Sequence, residues 1–218
     1  MPEKTTKNRL RPLVLASTSP YRRELLARLR LRFDVEAPGV DETPLPGEPP
    51  AATPCRLAEA KARAVAARRG DALVIGADQV ADAGGVVFSK PVDHADAVTQ
   101  LTRLAGQSVV FHTAVALVDA ASGRCAVRLV DVTTTFRALE RRAIENYLRR
   151  ERPYDCAASI KSEGLGIALV ESITSDDPTA LIGLPLIALV GLLRAEGVDV
   201  LAGGGTVRGS AAPGPVAE

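Results

Sequence analysis

Apolar and polar positions alternate in blocks along the first part of the chain. Residues 13–17 read LVLAS, a short apolar run that is typical of a buried strand. In the segment that follows, Ser19 can cap a helix and Pro20 fits the first helical position. Leu25, Leu26 and Leu29 would then fall on one face of that helix. The pattern predicts a strand, a tight turn and a helix, followed by a second strand over residues 33–37.

A proline-rich stretch interrupts this pattern before the next helix. Residues 38–54 contain six prolines and several acidic residues, which indicates a long functional loop. From Thr53 a helix is predicted to about Arg69, and residues 72–78 form a continuous apolar strand that ends in Asp78. The positions predicted to face inward on this helix are Leu57, Ala60, Ala64 and Ala67.

The second half alternates between β-rich and helical segments. Gly84 and Gly85 indicate a hairpin turn, and residues 108–139 form two long β-rich segments joined at 121–123. Helices are predicted over 95–104, 140–150 and 184–196, and a strand over 164–172. We therefore predict an α/β fold with a mixed β-sheet and flanking helices in one domain, residues 11–197, with flexible tails over 1–10 and 198–218.

Composition narrows the class of function. With 218 residues, 46% of them hydrophobic, the chain can bury a sizeable core. No run of about 18 apolar residues and no signal peptide is visible, so we expect a cytoplasmic protein without membrane contact. A net charge of +1, no Trp and 3% aromatic residues argue against a nucleic-acid partner. The spacing of Cys55, Cys125 and Cys156 favours buried thiols over a disulfide or zinc site. A small charged substrate is the better expectation.

Two groups of cations are candidates for binding an anion. Ser17 and Ser19 precede a predicted helix N-terminus that also carries Arg22 and Arg23, a combination suited to phosphate. The alternative is an ordinary capped helix with surface arginines. Lysine is rare in this chain, yet Lys61, Lys90 and Lys161 occur in its interior, where a compact charge suits phosphate or carboxylate. Chance retention on a solvated face is the other interpretation.

Carboxylates supply candidates for metal binding and proton transfer. Asp41 and Glu42 lie in the proline-rich loop, and Asp78 ends an apolar strand, where α/β folds place ligands. Such oxygens suit Mg²⁺ or Mn²⁺ while a carboxylate takes a proton from water. The alternative for Asp78 is a turn or helix cap. For the histidines we favour non-catalytic roles, with His94 capping the helix that follows it and His112 in a β-rich run.

Several motifs together resemble the Maf-like nucleotide pyrophosphatases. These are ASTSPYRRELL, VDETP, LAEAKA, IGADQV, the SKP lysine, TTTFR, ERPYDCAASIKSEGLGI and DPTALIGLPL, in the family's order over about residues 12–197. The resemblance implies a mixed α/β fold with a deep cleft between two lobes, frequent dimerisation, and metal-dependent hydrolysis of nucleotides at the α–β phosphate link.

The resemblance also implies residue roles. Asp78 matches the proton acceptor, Arg22, Lys61 and Lys90 would contact the phosphates, and Glu42 with Asp78 would hold the metal. The remaining candidates for substrate binding are Ser17, Ser19, Tyr21, Arg23, Gln79, Lys161 and Glu163. Tyr21, Gln79 and Glu163 match positions that select the base. Gln79 with KSEG is similar to the 7-methyl-GTP branch. An aromatic ring such as that of Tyr21 can stack on a cationic purine, and Glu163 can accept from the guanine edge.

Three positions depart from the family pattern. Ala158, Ser89 and Ala114 stand where glycine is usual, and each loses backbone freedom. These departures bear on the exact substrate, and none removes a catalytic group. Two other functions stay open. One is a dTTP/UTP pyrophosphatase of the same family, and the other is a non-catalytic nucleotide-binding regulator of cell division or septum formation.

Overall fold

The computed structural model describes residues 11–202, which form seven strands and five helices. The strands are β1 (Leu13–Ala16), β2 (Asp34–Glu36), β3 (Leu73–Ala83), β4 (Val86–Phe88), β5 (Ser108–Asp119), β6 (Cys125–Phe136) and β7 (Val170–Thr174). The helices are α1 (Pro20–Ala27), α2 (Ala52–Ala66), α3 (His94–Leu104), α4 (Arg141–Glu151) and α5 (Leu186–Ala195). Short 3₁₀ turns cover Ala157–Ser159, Leu165–Leu169 and Pro178–Ile182.

All seven strands belong to one mixed sheet, which confirms the predicted fold class. Their order is β2-β1-β3-β5-β6-β7, and β4 pairs with β3 alone. β1 runs parallel to β2 and β3, whereas the other strand pairs, from β3 onward, are antiparallel. Helical crossovers and hairpins therefore share one sheet, as the sequence pattern indicated.

The core divides into two regions along the long strands β3 and β5. In the first region, alternate residues of β1 and β3 face opposite sides of the sheet, with α2 packed on one side and α1 and α5 on the other. In the second region, α3 and α4 pack over the far halves of β5 and β6 around Phe111 and Phe136. The long strands thus join two packed regions.

Two local predictions were wrong, namely the start of the strand over 164–172 and the capping role of His94. The predicted strand over 164–172 begins as a 3₁₀ turn and becomes extended only at Val170, where it pairs with β6. His94 does not cap α3, since the side chain of Asp93 accepts a hydrogen bond from the Asp96 amide at 2.8 Å. His94 is instead the first residue of the helix and contacts Tyr154 and Glu145 through its ring.

The predicted strand over 72–78 is also too short. β3 runs through Asp78 to Ala83, whereas its parallel neighbour β1 ends at Ala16 opposite Gly76. Asp78 therefore lies within β3, at the point where one neighbouring strand has ended. The crevice expected at a strand end is present here for that reason.

Helix α2 lies against β3 with a different face from the one that we predicted. Leu57 is buried, but Ala67 is exposed, and Lys61 takes an inward position instead. At Gly76, an added Cβ would collide with the Ala58 carbonyl oxygen and lie 2.8 Å from the Ala62 nitrogen. Only glycine permits this approach, which brings the α2 backbone close to the sheet.

The ends of the chain were predicted to be flexible. Residues 1–10 and 203–218 lie outside the described residues. Val198 is 4% exposed and packs in the same apolar cluster as α1 and α5.

Candidate active site

A cleft of about 530 Å³ opens where β1 ends and β3 continues. Ten of the residues predicted from the sequence line it, namely Ser17, Ser19, Tyr21, Arg22, Glu42, Lys61, Asp78, Gln79, Lys90 and Glu163. They come from the turn after β1, α1, the proline-rich loop, α2, β3, the segment after β4, and the segment after α4. The fold therefore brings together residues that are separated by up to 146 positions in the chain.

Lys61 connects two of the predicted carboxylates. Its Nζ lies 2.7 Å from Glu42 Oε2 and 2.7 Å from Asp78 Oδ1, and the residue is only 3% exposed. A buried ammonium needs such partners, because burial without them would cost several kcal/mol, of order 3–5. The contact of α2 with Gly76 places this ammonium beside β3.

Asp78 lies in a less polar environment than a surface carboxylate. Burial raises the pKa of Asp78, and the positive charges of Lys61 and Arg22 only partly offset this. The same burial lowers the pKa of Arg22, against the influence of Asp78 and Glu42. A carboxylate with a raised pKa is a better proton acceptor once it is ionised.

The N-terminus of α1 forms one wall of the cleft. Ser17 Oγ accepts a hydrogen bond from the Ser19 amide at 3.1 Å, and Ser19 Oγ caps the helix at the Arg22 amide. Arg22 Nε donates to the Gly183 carbonyl at 2.9 Å, which fixes the guanidinium beside Asp78. Arg23 is exposed and does not line the cleft, since one further residue turns its side chain about 100° around the helix.

Tyr21 precedes Arg22 in α1 and contacts another part of the chain. Its hydroxyl donates to the Asp155 carboxylate, with oxygen distances of 2.9 and 3.1 Å. Lys161 Nζ lies 5.6 Å from the centre of the Tyr21 ring and 3.3 Å from Glu151 Oε1. Lys161 thus contacts a residue of the cleft without lining the cleft itself.

Gln79 has its amide orientation fixed by its neighbours. Its Nε2 lies 2.9 Å from the Ala180 carbonyl and 3.1 Å from the Leu181 carbonyl, and these can only accept hydrogen bonds. Thr113 Oγ1 donates to Ala180 as well and accepts from Gln79 at 2.9 Å. The amide nitrogen therefore faces the protein, and Oε1 is the acceptor offered to the cleft.

Other predicted residues lie elsewhere. Lys90 is exposed at the cleft rim, and Asp41 accepts hydrogen bonds from Thr43 in the proline-rich loop. His94 and His112 do not line the cleft. The three cysteines are half-buried free thiols, not fully buried ones, and Cys156 lines the cleft.

The sequence reasoning missed two residues that hold others in place. Asp155 lies in the motif ERPYDCAASIKSEGLGI, two residues before the first 3₁₀ turn, and binds Tyr21. Thr113 lies in a plain β-rich segment, so no local signal pointed to its bond with Gln79. Both contacts depend on long-range geometry, with Tyr21 and Asp155 134 residues apart.

A divalent cation would find an incomplete set of protein ligands here. Among residues 11–202 there is no cluster of three His, Cys, Asp or Glu side chains suited to a metal. Glu42 and Asp78 each offer a second carboxylate oxygen to which no described residue donates a hydrogen bond. Two carboxylates completed by substrate phosphates and waters are a usual arrangement for Mg²⁺, so the residues fit this ion when a phosphate ligand is present.

The fold and the cleft define an α/β protein with a pocket lined by lysine, arginine and carboxylate side chains. The chain belongs to the Maf-like protein family, whose pattern matches residues 12–196. It is 60% identical over 192 residues to the 7-methyl-GTP pyrophosphatase of Polaromonas sp. strain JS666, covering 88% of each chain. The protein of the same name from Methylobacillus flagellatus is 54% identical, covering 87% of this chain and 99% of that protein.

No helix between residues 11 and 202 has the length and apolar character needed to cross a membrane.

Proposed function

We propose that this protein is a nucleoside triphosphate pyrophosphatase that hydrolyses 7-methyl-GTP to 7-methyl-GMP and pyrophosphate. The observation that carries the proposal is the Glu42–Lys61–Asp78 cluster, held in a cleft that Arg22 and Lys90 also line. The names of relatives that are 54–60% identical over most of the chain support the same substrate.

In the proposed reaction, Asp78 accepts a proton from a water molecule as the water oxygen attacks the α-phosphorus. The bond from the α-phosphorus to the bridging oxygen breaks, and pyrophosphate leaves with that oxygen. Lys61, Arg22 and Lys90 bind the phosphate oxygens, with the α1 N-terminus and the hydroxyls of Ser17 and Ser19 beside them. Their positive charge offsets the negative charge that develops on the leaving group.

Glu42 and Asp78 are the proposed ligands of a divalent cation, Mg²⁺ or Mn²⁺. When bound, such an ion neutralises phosphate charge and polarises the phosphoryl oxygens. Lys61 bonds only one oxygen of each carboxylate in the structure, which leaves the other oxygen for this purpose.

The proposed base site consists of Tyr21, Gln79 and Glu163. The Tyr21 ring can stack on the purine, and the exposed Glu163 carboxylate and Gln79 Oε1 are acceptors for the N–H groups on the guanine edge. Acceptors of this kind favour guanine, whose edge carries more donors than that of thymine or uracil.

A panel of nucleotides tests the proposal. Pyrophosphate release would be measured with 7-methyl-GTP, GTP, dTTP and UTP, each with and without Mg²⁺. We expect metal-dependent release that is fastest with 7-methyl-GTP. Faster release from dTTP or UTP would reject the substrate and keep the enzyme class, whereas binding without any release would favour a regulator.

We further propose a cytoplasmic location, where nucleotide pools are found, and a homodimer as the assembly. The family resemblance supports the dimer, and sedimentation equilibrium of the full chain tests it. A single species at the mass of one 22.8 kDa chain would contradict it.

A further inference from the structure

The charged residues of the cleft form two groups, one in which cations and carboxylates are mixed and one that consists of carboxylates. Arg22 and Lys61 surround Asp78, where the proposed chemistry takes place. Asp155 and Glu163 also line the cleft, on the segment that follows α4. Lys161, two residues before Glu163 in the chain, is paired with Glu151, and its Nζ lies 3.3 Å from Glu151 Oε1. The cleft therefore offers negative charge at a place distinct from the phosphate-binding cations.

Asp155 contacts the ring that the base would meet. Both of its oxygens lie within hydrogen-bonding distance of the Tyr21 hydroxyl, at 3.1 and 2.9 Å. Burial and the Asp155 carboxylate raise the pKa of Tyr21, so the hydroxyl stays protonated and remains the donor. The ring already attracts a cation, since Lys161 Nζ lies 5.6 Å from its centre.

The pKa of the neighbouring Cys156 thiol is affected by the same carboxylates. Burial, together with the negative charges of Asp155 and Glu163, raises the pKa of Cys156 to about 12. Cys156, which lines the cleft, is therefore within the electrostatic influence of both carboxylates. Burial disfavours a charge of either sign, whereas the two carboxylates favour a positive charge at this place.

Selection of 7-methyl-GTP over GTP depends on what distinguishes the two nucleotides. The two nucleotides share the same guanine edge and the same phosphates, so acceptors such as Gln79 and Glu163 contact both alike. What differs is the methyl group and the positive charge that it places on the ring. Negative potential and an electron-rich ring face are the features that respond to this difference.

Resting on the proposed function, we propose that Asp155 is a further specificity-determining residue. It holds the Tyr21 ring in place through the hydroxyl and supplies negative charge that favours a cationic purine over an uncharged one. Its role is in positioning and electrostatics, since Asp155 itself is not assigned a contact with the reacting atoms.

Asp155→Asn tests the charge, because asparagine keeps an oxygen that can accept from Tyr21. The dissociation constants of 7-methyl-GMP and GMP would be measured by calorimetry, and kcat/KM for the two triphosphates by pyrophosphate release. We expect the preference for the methylated nucleotide to fall about fivefold, since solvent screens an exposed carboxylate. Glu171→Gln removes the same charge from an exposed position outside the cleft and should leave the preference unchanged.

Tyr21→Phe separates the tether from the charge. It removes the hydroxyl that Asp155 binds but keeps ring and carboxylate, so we expect weaker binding of both nucleotides with most of the preference retained. An unchanged preference in Asp155→Asn, or an equal loss for both nucleotides, would overturn the inference. So would a wild-type protein that binds 7-methyl-GMP and GMP alike. A wild-type protein that prefers 7-methyl-GMP without releasing pyrophosphate would refute the proposed function alone.

Discussion

At the scale of single residues, the pairing of Lys61 with Asp78 sets the electrostatics of the cleft. Both are largely buried, so each charge depends on the other and on Glu42. Burial nevertheless outweighs the neighbouring cations in the net pKa shift of Asp78. When it is ionised, Asp78 is therefore more basic than a solvated aspartate.

Asp78→Asn should abolish turnover while nucleotide binding remains. Asparagine keeps the size of the side chain but cannot accept the proton, so we expect kcat to fall by about 10³-fold. Steady-state kinetics and calorimetric binding of 7-methyl-GTP would measure the two effects. A variant that retains most of its kcat would show that another group accepts the proton.

The pH dependence of the wild type follows from the same shift. The proposed base is active only when it is deprotonated, and its pKa is raised, so kcat/KM should fall with decreasing pH earlier than for an ordinary carboxylate. A pH–rate profile measures this. An acid limb at or below about pH 3.9, the value of an unperturbed aspartate, would contradict the assignment.

The orientation of the Gln79 amide depends on its hydrogen bond to the hydroxyl of Thr113. Thr113 is fully buried and bonds both Gln79 and the Ala180 carbonyl. Thr113→Val should raise KM for 7-methyl-GTP roughly threefold and lower stability by about 1 kcal/mol, because a buried hydrogen-bonding group loses its partner. Thr113→Ser, which keeps the hydroxyl, should restore KM in the same assay. If serine fails to restore it, the hydroxyl is not what matters.

At the scale of elements, the contact of α2 with β3 positions the cluster. Gly76 lets the helix backbone approach the strand, and Lys61 then reaches Asp78 two residues further along β3. The spacing between α2 and β3 therefore sets the contact between Lys61 and Asp78. A change in this spacing should affect both stability and chemistry.

Gly76→Ala tests this packing. A Cβ would meet the Ala58 carbonyl, which is backbone and cannot rotate away, so we expect a loss of about 3 kcal/mol and of activity. Urea denaturation and pyrophosphate release measure the two effects. Gly191→Ala is a matched control in α5, where nothing lies within 4 Å of an added Cβ, and it should stabilise by about 0.5–1 kcal/mol. A neutral Gly76→Ala would contradict the account.

The loop that carries Asp155 contains one of the three departures from the family pattern. Ala158 has φ of 55° and is fully buried, so an L-residue occupies a left-handed conformation that favours glycine. The predicted loss of backbone freedom is confirmed there. Ala114, in contrast, lies in the regular strand β5, where a side chain is accommodated.

At the scale of the whole molecule, Asp119 joins distant parts of the chain. It closes the β5–β6 turn by accepting from Ser122 Oγ at 2.7 Å, and it pairs with Arg11 before β1. Burial tends to raise the pKa of Asp119, but the bonds from Arg11 and Ser122 outweigh this and lower it to about 2. The charged form is therefore the stabilising one.

Acid should weaken the fold through this group. A lowered folded-state pKa contributes stability that is present above about pH 4 and lost as the pH falls towards 2. We expect about 1 kcal/mol, because solvent screens the half-buried Arg11. Asp119→Asn should remove that part of the pH dependence in urea denaturation between pH 7 and 3. Asp176→Asn, at a carboxylate without hydrogen bonds among the described residues, should not.

Much of the fold was already determined by the sequence, because local periodicity reports which face of an element is buried. The strand and helix at the start, the hairpin at Gly84 and the long β5–β6 hairpin all follow from patterns within about 30 residues. The residue types of the cleft were also visible, since lysine, carboxylate and capping serine each have a chemical preference.

Tertiary structure alone decided how these groups meet. Lys61 faces inward because Gly76 admits the helix, β3 extends past Asp78 because β5 continues to pair with it, and Arg23 points away because of the turn of α1. Asp155 and Thr113 become functional candidates only through contacts across 134 and 34 positions. Local sequence patterns do not predict such contacts, since the contacts form only when separate elements pack against one another.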